Sequence, residues 1–185
     1  AETLAAVRRY LSYFPSSAEQ SPPTVAPRAA PCDTAEGGLA LTRLVPENHR
    51  RAYDVIKLIH LIADEDSLFH LRPEYGKNLV TVLARMAGQP VGIVANNPMQ
   101  RAGVLDEKAA IKARKFIDLC DAFHIPLIFL CDTPGFLVGP EIEKHRMVSL
   151  CGRLLNSLMA ASVPKITIVL RKAVGMAYIA MCGRA

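Results

Sequence analysis

A chain of 185 residues, 51% hydrophobic and 21% charged, is long enough for one medium domain with a buried core. Its net charge of +5 is modest and its Lys and Arg residues are dispersed; with 6% aromatics and no Trp, no basic-aromatic module for nucleic acid is present. An acidic or phosphorylated ligand suits the charge equally well. No apolar run approaches the ~18 residues of a membrane span and the first residues carry no signal-peptide pattern, which reads as a soluble, cytoplasmic protein. Cys32, Cys120, Cys131, Cys151 and Cys182 are widely spaced, with no CxxC and no zinc-type cluster, and read as small buried hydrophobes in a reducing compartment.

In chain order, Leu4, Val7, Leu11 and Phe14 recur at helical spacing over residues 1–14, a helix with no cap and no initiator Met before it, as expected of a piece of something longer. Residues 15–38 carry Pro15, Pro22, Pro23, Pro27 and Pro31 among Ser, Ala and Gly and read as a linker, with the domain proper spanning 39–185. Ala52, Val55, Ile56, Ile59, Leu61 and Ile62 predict a helix over 47–63, followed by a turn at Asp64-Glu65-Asp66. Leu79 to Met86 and Val91 to Ala95 predict a hairpin about Ala87-Gly88-Gln89-Pro90, stopped by Asn96-Asn97-Pro98. Leu105 to Phe123 predicts an amphipathic helix opened by Asp106, with Phe116, Ile117 and Cys120 inward and Lys108, Lys112, Lys115 and Asp118 outward. Leu127 to Cys131 predicts a buried strand that ends at Asp132-Thr133-Pro134-Gly135. A helix over Glu141 to Ala161 is expected to bury Val148, Leu154, Leu155, Leu158 and Met159. A second buried strand, Ile166 to Leu170, runs into Arg171-Lys172-Ala173-Val174-Gly175, and a helix starts at Met176 and runs to Cys182. The order of elements argues for an α/β fold with the later strands parallel, and loops at the carboxyl ends of such strands are where ligands bind.

Several chemistries lack their motifs. Asp132-Thr133-Pro134-Gly135 after a strand suggests a GTPase switch segment, but no P-loop precedes it: Gly76-Lys77-Asn78 lacks the earlier glycine and the hydroxyl residue. A Rossmann-like nucleotide binder is set aside because no GxGxxG follows a strand, and neither GxSxG nor HExxH is present. Of the five histidines only His145 lies close to the first glycine-bearing loop, so it is the one to test as an acid or base. If Gly175 to Ala177 opens a helix, the N–H groups of Met176 and Ala177 lack intrahelical partners and can stabilise an oxyanion or enolate. A helix cap satisfied by water explains the same spacing and, on spacing alone, is the stronger explanation.

The runs Glu74-Tyr75-Gly76-Lys77-Asn78 with ARMAGQPVGIVANNP, then KFIDLCDAFHIPLIFLCDTPGFLVG, then VPKITIVLRKAVGMAY, occur in an order that resembles the C-terminal half of the carboxyltransferase (beta) subunit of biotin-dependent acyl-CoA carboxylases, the propionyl-, acetyl- and methylcrotonyl-CoA carboxylase family. Tyr10-Leu11-Ser12-Tyr13-Phe14-Pro15 resembles the end of that family's N-terminal domain. The resemblance implies a crotonase/ClpP-like fold of repeated ββα units, truncated at its C-terminal end. It implies an enzyme of fatty acid metabolism in which carboxyl moves from N1′ of carboxybiotin to the α-carbon of an acyl-CoA, and biotin freed of CO₂ takes the α-proton. The pair Met176 and Ala177 falls on the family's backbone donors to the ureido oxygen of biotin. Gly135, Phe136, Leu137, Gly175 and Tyr178 fall around biotin, and Ile179 falls at the acyl pocket. Asp132 then reads as a turn and capping residue rather than a general base. The cofactor implied is biotin on a carrier protein or domain, with no metal. The partners implied are an acyl-CoA, a biotin carboxyl carrier, a biotin carboxylase subunit and further copies in a hexamer built through N-domain/C-domain dimers. Four positions depart from the family pattern: Met176 replaces a glycine, His145-Arg146 replaces Gly-Gly, and Ile179 stands where propionyl-type members commonly carry Asp. The alternative is a catalytically degenerate crotonase-fold subunit that serves assembly or binding, and the fragment alone is expected to be inactive.

Overall fold

The computed structural model describes residues 2–183; the first and last two residues of the expected segments lie outside the described residues. Its frame is a hairpin. Leu79–Met86 (β2) and Gln89–Asn96 (β3) pair antiparallel from Leu79 opposite Asn96 to Met86 opposite Gln89. Ala87 and Gly88 turn the chain with φ of 50° and 80°, the primed geometry that matches strand twist. Buried Asp64 closes that turn, accepting the N–H groups of Ala87 at 2.8 Å and Gly88 at 2.7 Å. The acidic run after the preceding helix thus serves a hairpin more than 20 residues away.

Leu127–Thr133 (β4) lies parallel to β3, and Lys165–Ala173 (β5) lies parallel to β4, as expected for the later strands. A two-residue strand, Phe69–His70 (β1), adds an antiparallel edge to β2 and completes the order β1-β2-β3-β4-β5. Side chains alternate between the faces with the period of the pleat. Leu79, Leu83, Val94, Leu127 and Phe129 meet the helices Glu107–Ala122 (α4) and Met147–Ala160 (α6). Val80, Val82, Ile93 and Leu130 meet Val55–Ile62 (α3) on the other side. Each fully buried Leu, Ile or Phe contributes roughly 1.5–3 kcal/mol by leaving water, so two apolar faces on one sheet suffice to hold this α/β layering.

Helix starts follow their caps. Asp106 accepts the Ala109 N–H at 2.9 Å and opens α4, as expected from its position. Asp54 accepts the Ile56 N–H at 2.9 Å and opens α3 there, so the helix expected from residue 47 is eight residues long, and Ala52 lies in the preceding loop. Thr34 accepts the Gly37 N–H at 3.0 Å and opens Ala35–Leu44 (α2) inside the stretch read as linker. Gly37 is tolerated in that helix because a Cβ there would lie 1.8 Å from the Pro31 carbonyl oxygen.

The proline-rich arm does not hang free. Val25 donates its N–H to Gly88 O at 3.1 Å. The Arg85 guanidinium, buried within β2, donates to Ser12 O at 2.7 Å, Pro23 O at 2.8 Å and Gly88 O at 3.0 Å. One cation thereby fastens the end of the first helix, Glu2–Leu11 (α1), and the arm onto the hairpin turn.

Three expectations of burial fail. Lys112, placed outward by its charge, is only 3% exposed. The long helix after β4 is two, Pro140–Lys144 (α5) and α6, because Arg146 sits in the left-handed region at φ 56° between them. Leu154 and Leu158 are buried as expected, but Met147 and Cys151 complete the buried stripe, and Val148 is 84% and Met159 81% exposed. The β5 strand is longer than expected and forms the other edge of the sheet, so Ile166, expected inside, is 62% exposed.

Candidate active site

The two glycine-bearing loops lie side by side at the carboxyl ends of β4 and β5, where open α/β sheets place ligands. Thr133 pairs with Ala173, and the Val174 N–H reaches Thr133 O at 3.3 Å, so the loops continue the parallel pairing after their strands end. The first loop is also tied from behind. Leu105 donates to Gly135 O at 3.0 Å and accepts from the Leu137 N–H at 2.8 Å, a bridge that turns Gly135-Phe136-Leu137 into a short third strand-like wall. Gly135 has φ 140°, a conformation for which only glycine is suited, and a Cβ there would meet nothing within 4 Å.

The second loop ends at Gly175, with φ 60° and open space where a Cβ would be. Gly175–Ala180 (α7) follows, one residue earlier at its start and two shorter at its end than expected. Val174 stands at the cap position without a side-chain cap. Among the described residues, the N–H groups of Met176 and Ala177 have no acceptor. Ala177 is buried, whereas Met176 beside it is 55% exposed. Phe136 and Leu137 are half-buried, and Ile179 and Val174 face outward. Tyr178 lays its ring against Gly183, whose Cβ would fall 2.2 Å from it, and packs on the core below α7.

Asp132 is neither a turn residue nor a helix cap. It is fully buried in β4, and its Oδ2 accepts from Arg171 Nε at 2.9 Å while Oδ1 accepts the Lys172 N–H at 3.1 Å. Arg171 Nη2 lies 2.9 Å from Oδ2 but off the hydrogen-bond direction, so that second contact is coulombic. The Lys172 ammonium stands 3.7 Å from Oδ1. Two cations therefore face one carboxylate, and both of its oxygens are taken up in holding β5. Asn96, which the sequence marks only as the end of a strand, is fully buried behind it: Oδ1 accepts the Asp132 N–H at 3.1 Å and Nδ2 donates to Gly103 O at 3.1 Å. The signal was present in the sequence as a polar residue closing an apolar run.

His145 caps the end of α5 in an exposed position, and its ring makes no hydrogen bond among the described residues. No group of metal-ligating side chains occurs among the described residues. The thiols of Cys120 and Cys131 are pushed up by burial, the latter to about 11, in keeping with cysteines that pack rather than react. A cavity of about 480 Å³ lies away from the loops, between α1 and α4, with Tyr10, Arg72, Lys112 and Phe116 in its wall.

The chain matches the carboxyl transferase domain model over residues 1–185. It is 40% identical over 183 residues to a propionyl-CoA carboxylase beta chain of Roseobacter denitrificans, covering 99% of this chain and 35% of that one. It is 41% identical over 175 residues to the biotin-dependent long chain acyl-coenzyme A carboxylase beta4 subunit of Mycobacterium tuberculosis, covering 95% and 33%. Among solved structures it superposes on transcarboxylase 12S, a hexamer crystallised with hydrolysed methylmalonyl-coenzyme A bound, with a TM-score of 0.89 and 38% identity over 96% of this chain and 34% of that one. The chain thus spans about a third of the length of the relatives that it matches. Matched from end to end by the domain model, and sharing the crotonase-like α/β fold of these enzymes, the chain belongs to the carboxyl transferase family.

Proposed function

We propose that this chain forms the biotin-side half of a site that moves carboxyl from N1′ of carboxybiotin to the α-carbon of a short acyl-CoA such as propionyl-CoA. The observation that carries the reading is the unpartnered pair of N–H groups on Met176 and Ala177 at the carboxyl end of two parallel strands. Biotin, when bound, supplies the carboxyl group and takes up the α-proton after CO₂ departs. The residues present fit it: the donors have no internal acceptor, and Gly135 and Gly175 keep the backbone open where a side chain would otherwise project.

The chain's own part is electrostatic. Met176 and Ala177 aim two fixed N–H dipoles at the ureido oxygen, where donors already in place cost no reorganisation as charge develops. Gly175 lets the backbone approach closely, and Phe136 and Leu137 with Tyr178 and Gly135 shape the wall and exclude water. Ile179 bounds the acyl end of the pocket. The partners we propose are an acyl-CoA, a biotin carboxyl carrier with its biotin carboxylase subunit, and further copies of this chain in a homo-oligomer.

A second reading, a degenerate assembly or binding module, is favoured by one observation: Met176 sets an exposed side chain beside the donor pair. The test is carboxyl transfer to free biotin by the full-length protein. Met176→Pro removes one donor at a helix position that tolerates proline, and Met176→Gly keeps it. We expect transfer by the wild type and by Met176→Gly, and a fall in kcat of about 10²- to 10³-fold for Met176→Pro. Absence of transfer in both the wild type and Met176→Gly favours the module.

A further inference from the structure

Arg171 reaches in two directions at once. Toward β4 its Nε donates to Asp132 Oδ2 at 2.9 Å. Away from β4 its Nη1 donates to Asn48 O at 3.1 Å and Arg51 O at 2.7 Å, and the cation lies 4.6 Å over the ring of Tyr53. Both charged side chains are desolvated, Arg171 4% and Asp132 0% exposed. Segment 46–53 forms no helix or strand, and this guanidinium, with the buried Tyr53 ring, is among the groups that hold it over the sheet. A planar fork holds a carboxylate and carbonyls in fixed relative positions, whereas a single ammonium does not.

Three residues separate Arg171 from Gly175, and the last of them, Val174, is held to β4. We infer that Arg171, locked by Asp132, is a positioning residue: it sets the angle at which the loop leaves β5, and so the aim of the Met176 and Ala177 N–H groups, and it couples that aim to segment 46–53. The inference rests on the carboxyl-transfer reading. A displacement of about 1 Å at a reacting centre can cost on the order of 10²-fold in rate, so a strap of this kind matters without touching substrate.

The experiment uses the full-length protein with free biotin as acceptor and compares wild type, Arg171→Lys and the double variant Asp132→Asn/Arg171→Gln. The double variant removes both charges of the buried pair and leaves Lys172, which is 16% exposed and also donates to Ala102 O at 3.4 Å. We expect a thermal midpoint near that of the wild type for the double variant, with kcat lowered about 10²-fold and KM for acyl-CoA within threefold. Arg171→Lys, assayed well below its own unfolding temperature, should show the same split. If kcat returns together with the thermal midpoint in the double variant, the pair is merely structural and the inference falls. Should the double variant fail to fold, a kcat for Arg171→Lys within threefold of wild type overturns it equally. No transfer by the wild type sinks the functional reading along with the inference; transfer unaffected by the substitutions sinks the inference alone.

Discussion

Asn96 shows how a buried polar side chain is retained by what it satisfies. Its amide serves Asp132 N–H with one end and Gly103 O with the other, joining the ends of β3 and β4 to the turn before α4. Asn96→Ala leaves two buried backbone groups unpaired, at about 1–3 kcal/mol each. The expected outcome is a urea midpoint lowered with an unchanged m-value. Lys112 presents the opposite case, a charge with poor compensation. Its Nζ donates to Leu79 O at 2.8 Å, and burial, reinforced by the Arg72 charge, lowers its pKa to about 8. A lysine whose folded pKa lies below its unfolded value penalises the fold when charged, so between about pH 8 and 10.5 the unfolded chain binds more protons and stability from this group rises with pH. Lys112→Met should abolish that rise, read as the difference between the two unfolding curves across pH 8–10. Subtracting the curves cancels the opposing contribution of the buried thiols. Neither role was legible from residue type: a lysine on an amphipathic pattern reads as outward, and the partners of Asp132 lie some 40 positions away.

At the level of elements, local signals sufficed where the chemistry is local. The hairpin, the Asp106 cap and the parallel β4 and β5 follow from alternation, capping and layer order. Leu154 and Leu158 belong to the stripe expected for α6, whereas Met147 and Cys151 are buried in place of Val148 and Met159 after a kink at Arg146 that no periodicity announces. A non-glycine residue in the left-handed region costs about 1–2 kcal/mol. Arg146→Gly should therefore raise the thermal midpoint by relieving about 1 kcal/mol, with the α6 stripe unchanged; an unchanged or lower midpoint would mean that the Arg146 side chain repays its strain. The candidate site was legible as two loops and a donor pair because both depend on glycines next to strand ends. Its supporting layer was not, since Asn96, Arg171 and segment 46–53 meet only in three dimensions.

For the molecule as a whole, two elements leave apolar side chains uncovered. Ile166 and Ile168 on β5, and Leu4, Val7 and Leu11 on α1, stand exposed, and neither element has a fully buried side chain among the described residues. A nine-residue edge strand with apolar side chains on its open face is a template for pairing with another chain. The isolated 185 residues should self-associate, and Ile166→Lys with Ile168→Lys should reduce this in sedimentation without altering the far-UV spectrum. The same residues in isolation should not decarboxylate malonyl- or methylmalonyl-CoA, and turnover by them would contradict the half-site reading. The Arg85 clamp has a mechanical consequence. Because one guanidinium binds Ser12, Pro23 and Gly88 together, tension applied through α1 is delivered to the turn end of the hairpin and bypasses the arm. Residues 15–23 form a bight on a cleat, steadied midway by the His124 ring 2.8 Å from Ala18 O, and whatever pulls at α1 moves the hairpin before it unwinds the tether.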